Sequence, residues 1–271
     1  VDVVYGVEAH GQKDDVMLGW GISDEAMADR IIARLDEAKK PFMATWITLS
    51  NHHPWTWDFP IEFPEHLQLR GDDSTYKHYQ RGMYYTDHAI GYFVSRIREQ
   101  SWGKQAWIVI VGDHGMHVFP ENNQLTDIQK LESHFRVPLL VLAPGVIEPG
   151  RAKRVASQID IAPTLLEMMG AKVSNAFMGR NILRQDSSAP SPVVMVGENA
   201  ASIVLDNERC MVAKVTCYEN AQPQCAENES PAAASHMCFR TSDDILGPEP
   251  TFTRLQPARA ATLRRTLDLL T

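Results

Sequence analysis

The chain has 271 residues, of which 44% are hydrophobic and 22% are charged, and this composition is typical of a globular protein with a sizeable core. Its 34 acidic residues outnumber its 26 basic residues, and the resulting net charge of -8 argues against general binding to nucleic acids. No apolar stretch of the sequence reaches the ~20 residues of a bilayer-spanning helix, so no membrane span is predicted.

The first predicted elements are a helix and a strand. The helix begins at Ser23, a typical N-cap residue, and ends near Lys39 and Lys40, before Pro41. Residues 42–49 are rich in aromatic and β-branched side chains and predict a buried strand. The polar residues that follow this strand occupy the position where α/β proteins commonly place active-site side chains.

A long loop and a long helix come next. Residues 55–73 contain prolines within an aromatic and polar stretch, which predicts irregular structure. From Thr75 to Gln100, apolar residues recur at alternating steps of three and four residues. This spacing predicts an amphipathic helix of about seven turns, lying against the sheet.

Two further apolar runs predict strands. Residues 106–111 are six consecutive apolar residues, which predicts a strand buried on both faces that ends at Gly-Asp-His-Gly, residues 112–115. Residues 137–143 predict another strand, and a helix follows from Asp160 to Gly170. The alternation of strands and helices predicts an α/β domain, a layered sheet with flanking helices, over residues 1–185.

Residues 186–271 are predicted to form a small C-terminal annex. Ser and Pro residues make 184–192 a linker candidate, short strand-like pieces follow it, and residues 255–270 predict a terminal helix. The annex is expected to be a small antiparallel sheet.

All four cysteines lie in this annex, at Cys210, Cys217, Cys225 and Cys238. Their spacing does not resemble the paired CxxC of a zinc site, and an even number of cysteines in a loop-rich segment favours two disulfides. Disulfides would place the domain in an oxidising compartment, whereas four reduced thiols are the alternative. Three disulfide connectivities remain open.

Chemistry-bearing residues follow two of the predicted strands. His52 and His53 come after the first strand, and Asp113 and His114 come after the second. A carboxylate beside an imidazole can supply half of a divalent-metal site. The alternative is structural, with Asp113 accepting backbone N–H groups in a turn and the histidines filling the interior or an aromatic loop. The sequence has no GxSxG motif, which argues against a Ser-His-Asp hydrolase.

Four ordered segments resemble the sulfatase-type branch of the alkaline phosphatase superfamily. Within that branch they are most similar to lipoteichoic acid synthases and phosphoglycerol transferases. The segments are TLSNHHPW at 48–55, YTDHAIG at 85–91, VIVGDHG at 109–115 and QIDIAPTLL at 158–166. GWGISDE at 19–25 also resembles a segment of those proteins. The similarity extends over roughly residues 15–185, and this implies a partial alkaline phosphatase-like fold.

The resemblance implies a metal-dependent enzyme acting on phosphate or sulfate esters. It implies that Asp113 and His114 bind a divalent metal, Mn or Mg first, with Ca or Zn as alternatives. It further implies that His52 is catalytic and contacts the phosphoryl or glycerol group of the substrate. His53 and His117 are additional candidates for substrate contacts.

The resemblance also implies what lies outside the sequence. The family nucleophile, a Thr in the transferases and a Ser or modified Cys in relatives, and the first acidic metal ligand belong to the N-terminal half of the domain. That half would precede Val1. The chain is therefore expected to be the C-terminal portion of a periplasmic or extracellular catalytic domain, joined to the membrane through upstream segments and inactive by itself.

The expected reaction transfers phosphoglycerol, or a similar phosphoryl head group, from a phospholipid to a glycan or polymer acceptor. A sulfatase-like hydrolase of sulfate or phosphate esters is the first alternative. The second is a non-catalytic binding or assembly module, which would hold a partner through the loop around Trp55 and the cysteine-rich annex. Nucleic acid is not an expected partner.

Overall fold

The computed structural model describes most of the first 183 residues and separate strands beyond them. The described residues are 3–6, 15–68, 74–116, 118–120, 127–152, 155–172, 174, 176–183, 193–196, 200–205, 208–213, 218–219, 222–223, 235–241, 252–254 and 256. The chain divides into two compact units, Val1–Lys130 with Arg136–Glu148, and Leu131–Phe135 with Pro149–Thr271. The boundary near residue 185 between domain and annex stays a prediction.

The first unit opens with a short antiparallel hairpin, β1 (Met17–Leu18) and β2 (Gly21–Ile22). Helix α1 (Asp24–Glu37) follows at once with Ser23 as its N-cap residue, which confirms the predicted helix. The Ser23 side chain makes no capping hydrogen bond. The backbone N–H of Asp24 donates instead to Ser50 Oγ at 3.1 Å, so a distant loop caps this helix.

The long predicted helix is confirmed as α2 (Thr75–Glu99). Polar side chains join it to α1: the Tyr92 hydroxyl donates to the Asp29 carboxylate at 2.8 Å, and His88 Nε2 lies 3.1 Å from Glu25 Oε1. The buried face of α2 contributes to the core cluster of this unit. That cluster consists of Leu18, Phe59, Tyr85 and Ala89, with Trp57, Ile61 and Phe63 packed against it.

Residues 42–49 have no regular secondary structure, so the prediction of a buried strand here is wrong. Met43 is 84% exposed and Ile47 is 78% exposed. A buried strand needs hydrogen-bonded neighbours and covered faces. Among the described residues, no strand pairs with this segment. Apolar composition indicated that the segment is buried, but burial also requires neighbouring strands to cover it.

The two later apolar runs do form strands, β3 (Ile108–Val111) and β4 (Leu139–Leu142), separated in sequence by helix α3 (Asp127–Phe135). They pair antiparallel, with Val111 opposite Leu139. The expected burial of β3 on both faces is wrong, because Val111 is 41% exposed. A two-stranded sheet has few neighbours with which to cover its faces.

In the second unit, a 3-10 turn (Gln158–Asp160) leads into helix α4 (Ile161–Met168), as the sequence predicted. The Asp160 carboxylate is buried, and it accepts the backbone N–H groups of Ser157 and Arg180, each at 2.9 Å. Asp160 therefore organises the backbone around the helix start. Gly170, at φ 69°, follows the helix in the left-handed conformation.

The C-terminal residues form an antiparallel sheet, as predicted for the annex. Its five strands are Val193–Val196 (β5), Ala200–Leu205 (β6), Glu208–Ala213 (β7), Ser235–Thr241 (β10) and Phe252–Arg254 (β11). They lie in the order β11-β10-β7-β6-β5. Tyr218–Glu219 (β8) pairs with Gln222–Pro223 (β9). The predicted linker 184–192 lies outside the described residues, as does the predicted terminal helix 255–270 apart from residue 256.

Among the described residues, no helix is both long enough and apolar enough to span a membrane.

Candidate active site

The loop that carries His52 is fixed to the start of α1. Asp24 Oδ1 accepts the backbone N–H of Leu49 at 3.1 Å, while the Asp24 N–H donates to Ser50 Oγ. Asp24 and Ser50 are both buried. Burial raises the pKa of Asp24 above 3.8, and the hydrogen bonds from Leu49 and Ser50 oppose this rise. Two hydrogen bonds, one buried and one partly buried, thus hold Leu49 and Ser50, the residues shortly before His52, to the start of α1.

Trp55 closes the same loop from its other end. The Trp55 side chain is only 2% exposed, and its Nε1–H donates to the carbonyl oxygen of Asn51 at 2.8 Å. Trp55 has φ 57°, a left-handed backbone conformation that costs a bulky residue ~1–3 kcal/mol and persists only where the surroundings hold it. Its indole therefore belongs to the interior of this unit.

Helix α2 makes room for this indole. The Trp55 ring meets the Tyr79 ring edge-on, with 5.2 Å between ring centroids. A Cβ atom at Gly82 would lie 2.6 Å from Trp55 Cδ1 and 2.8 Å from Asn51 Oδ1. Real Cβ atoms do not approach so closely, so α2 needs glycine at this position for the loop to pack against it.

His52 has a defined tautomer. Its Nδ1 lies 2.9 Å from the carbonyl oxygen of His53. A carbonyl oxygen only accepts hydrogen bonds, so Nδ1 carries the hydrogen and Nε2 carries the lone pair of the neutral ring. His53 is exposed beside it, with 4.5 Å between the two imidazole centroids. The structure thus places the two predicted histidines side by side.

Trp20 is a neighbour of His52 that the sequence reasoning did not single out. The indole and imidazole centroids lie 3.7 Å apart with an interplanar angle of 31°. Trp20 occupies the turn of the β1–β2 hairpin, and the available sequence signal was an aromatic residue between two glycines. The sequence likewise marks Asp24 only as the residue after the predicted N-cap Ser23 and as part of the segment 19–25.

Asp113 and His114 form a compact pair after β3. The backbone N–H of His114 donates to Asp113 Oδ1 at 2.8 Å, and His114 Nδ1 lies 2.8 Å from the carbonyl oxygen of Gly115. The carbonyl again requires the hydrogen on Nδ1, so the neutral ring has its lone pair on Nε2. That nitrogen lies 3.5 Å from Asp113 Oδ2.

These two atoms suit a divalent cation. Two electron-pair donors facing each other are stabilised when a proton or a cation lies between them, and ligand–metal bonds of ~2.0–2.2 Å are compatible with donors 3.5 Å apart. A ligating His commonly donates its other N–H to a backbone carbonyl, as His114 does to Gly115. The side chains of Asp113 and His114 are 86% and 60% exposed.

The pair does not make a complete metal site by itself. Across the described ranges, no group of three or more His, Cys, Asp or Glu side chains is placed to hold a metal. His117 lies outside the described residues. The convergence of the His52 loop and the Asp113–His114 pair on one cleft stays a prediction.

In the annex, Cys210 is buried and disulfide-bonded. The β7–β10 register places Cys238 directly opposite Cys210. Cys217 and Cys225 lie outside the described residues, and the connectivity stays a prediction.

The fold and the motifs together define the class of protein. The chain is similar to a protein of the alkaline phosphatase superfamily from Vibrio parahaemolyticus, with a TM-score of 0.67 and 20% identity over 97% of this chain and 56% of that chain. This likeness confirms the alkaline phosphatase-like α/β fold. A family model described as Sulfatase matches residues 2–171, and the chain belongs to this family.

Curated relatives agree with the narrower resemblance. Lipoteichoic acid synthase-like YvgJ of Bacillus subtilis is 24% identical over 84% of this chain and 39% of that protein. Lipoteichoic acid synthase of Staphylococcus saprophyticus is 25% identical over 95% and 42%. Phosphoglycerol transferase I of Xanthomonas campestris is 28% identical over 64% and 24%. The chain therefore spans less than half the length of these relatives.

Proposed function

We propose that this chain supplies the metal-binding and imidazole part of an enzyme that transfers phosphoglycerol, or a similar phosphoryl head group, from a lipid to a glycan or polymer acceptor. The observation that carries the proposal is the Asp113–His114 pair, with His114 Nε2 and Asp113 Oδ2 3.5 Å apart. Membership of the sulfatase family and the similarity to lipoteichoic acid synthases and a phosphoglycerol transferase support it.

Asp113 and His114 would hold the divalent metal, Mn or Mg in our proposal. A bound divalent metal polarises a phosphoryl oxygen and lowers the pKa of a coordinated hydroxyl. Gly115 orients His114 by accepting its Nδ1–H, and the His114 N–H orients Asp113 by donating to its Oδ1. Both ligating atoms are therefore aimed by contacts within residues 113–115.

His52 would act on the phosphoryl group or on the leaving oxygen. Because Nδ1 donates to the His53 carbonyl, Nε2 is the nitrogen that can accept a proton or, once protonated, donate to an oxygen. The buried contacts of Asp24, Ser50 and Trp55 hold the loop in place, so the imidazole needs little rearrangement to act. His53, exposed beside it, would contact the substrate.

The compartment and the nucleophile are part of the same proposal. The disulfide at Cys210 supports an oxidising location, which we propose to be the periplasmic or extracellular face of the cell membrane. We further propose that the hydroxyl nucleophile belongs to a part of the domain outside these 271 residues.

The test compares Asp113→Ala and His114→Ala with the natural full-length protein. Formation of fluorescent diacylglycerol from a phosphatidylglycerol labelled on one acyl chain is measured with added Mn²⁺, because transfer of the head group leaves diacylglycerol behind. Each substitution should lower turnover by ~1000-fold, since metal stabilisation of the transition state is worth several kcal/mol. Thermal stability should be unchanged, because both side chains are highly exposed.

Asp87→Ala and His66→Ala are matched controls, since they remove an exposed carboxylate and an exposed imidazole elsewhere in the chain. Full turnover in either Asp113→Ala or His114→Ala would refute the ligand assignment. Parallel assays with nitrophenyl sulfate and nitrophenyl phosphate test the hydrolase alternative. Turnover of these simple esters without formation of diacylglycerol would replace the transferase by an ester hydrolase.

A further inference from the structure

The turn that carries Trp20 is held against the His52 loop. Gly19 has φ 66°, a conformation that favours glycine, and a Cβ atom there would lie 2.9 Å from the Trp57 ring. At Gly21, a Cβ atom would lie 2.6 Å from Leu49 Cδ1. Both glycines allow the hairpin to approach residues on either side of the His52 loop, so the position of Trp20 is set by close packing.

One face of the Trp20 indole is covered and much of the ring remains open. The ring stacks on His52 with centroids 3.7 Å apart, yet the residue is 68% exposed. The exposed imidazole of His53 lies at the ring edge, with centroids 6.5 Å apart. The result is a flat aromatic surface whose covered face lies on His52, the imidazole that we assign to the substrate, and whose edge meets His53.

We propose that Trp20 is the stacking platform of a carbohydrate subsite, on which one pyranose ring of the glycan acceptor lies against the open face of the indole. The negative face of an aromatic ring attracts hydrogens carried by polarised C–H bonds, and one face of a pyranose presents several of them. His53, at the edge of the indole, can offer a ring nitrogen to a hydroxyl group of that sugar. The subsite rests on the proposed function, because it assigns a chemical class to the acceptor.

A sugar ring fits this surface better than a three-carbon polyol does. Stabilisation by stacking grows with the apolar area that leaves water, and a six-membered ring covers more of the indole than glycerol can. The platform therefore selects for a ring and contributes little to binding of a glycerol head group.

The test is a titration of this chain with methyl β-D-glucoside, followed by NMR of the Trp20 indole N–H and the His52 ring. Saturable shifts with a millimolar Kd are expected for the unmodified chain, and Trp20→Ala should weaken binding at least ~10-fold. Trp20→Phe, which retains an aromatic face, should stay within ~3-fold. Met17→Ala removes another exposed side chain of the same hairpin and should leave the Kd unchanged.

Equal affinity of the unmodified chain and Trp20→Ala would overturn the platform, as would glycerol shifting the same signals with equal affinity. Protection of Trp20 from acrylamide quenching in the sugar-free full-length protein would also overturn it, because the face would then be covered by protein. Asp113→Ala should retain sugar binding while losing turnover. Sugar binding without turnover of phosphatidylglycerol in the natural protein would therefore contradict only the proposed function. Turnover without sugar binding would contradict only the platform.

Discussion

The two groups of candidate site residues are held in opposite ways. The His52 loop is held by three buried residues: Asp24 at the start of α1, Ser50 before His52, and Trp55 after it. Asp113 and His114 are highly exposed, and hydrogen bonds within residues 113–115 help to orient them. The scaffold thus supplies the geometry of the first group, whereas a bound cation would complete the second.

This contrast predicts that substitutions in the two groups affect different properties, the free energy of unfolding in one and turnover in the other. Substitutions around the His52 loop should change the free energy of unfolding, because the bracing groups are buried. Substitutions of the exposed pair should change turnover and leave stability almost unaltered. A loop fixed in advance suits a group that acts on substrate, and an open pair suits an ion that enters from solvent.

Trp55→Ala is expected to have the largest effect on stability. Removing a buried indole should lower the free energy of unfolding by ~3–5 kcal/mol, and the Asn51 carbonyl also loses its donor. Urea denaturation of this chain measures the change. Trp20→Ala is the matched control, because this exposed tryptophan should change stability by under ~0.5 kcal/mol. Equal losses in the two variants would contradict the contrast between braced and exposed residues.

Gly82→Ala and Gly91→Ala test how α2 holds the loop. Alanine is favoured over glycine within a helix by ~1 kcal/mol, so Gly91→Ala, whose Cβ atom would meet nothing within 4 Å, should stabilise the chain. At Gly82 the Cβ atom would collide with Trp55 and Asn51, and the net result should be destabilisation by ~1–3 kcal/mol. Thermal melts of both variants measure the difference. Stabilisation by both would show that the loop does not depend on this packing.

Asp24→Asn should have the smallest effect, visible in the pH dependence. Because the folded-state pKa of Asp24 is raised above 3.8, the native state binds the proton more tightly than the unfolded chain does. Its contribution to stability is therefore present below pH 3.8 and is lost as pH rises through the folded-state pKa. The stability of the unmodified chain relative to Asp24→Asn should fall over that window.

Denaturation midpoints at several pH values measure this trend, with Asp87→Asn as an exposed control. A stability difference between the unmodified chain and Asp24→Asn that rises with pH would have the wrong sign for a buried carboxyl group.

Local signals in the sequence were enough for helices α1, α2 and α4, whereas helix α3 (Asp127–Phe135) was not predicted. Ser23 and the spacing after Thr75 predicted α1 and α2, and Asp160 and Gly170 bounded α4. Burial was harder, because it depends on neighbours far away in sequence. The apolar composition of residues 42–49 does not reveal that Met43 and Ile47 are exposed.

The candidate site shows the same division. The motifs nominated His52, Asp113 and His114 through residue type and resemblance. Their tautomers could not be predicted, since each depends on which carbonyl oxygen lies beside Nδ1. The contact of Trp20 with His52 joins two segments far apart in sequence, and only the fold brings them together.

The most direct test of the central claim is paramagnetic broadening by Mn²⁺. Mn²⁺ is titrated into this chain, and the NMR signals of the His52 ring and the Gly115 amide are followed. If Asp113 and His114 bind the ion and His52 faces it across one cleft, both signals should broaden together, and Asp113→Ala should abolish the effect. Broadening of Gly115 with an unaffected His52 ring would contradict the shared cleft, and no broadening at either position would contradict the metal site itself.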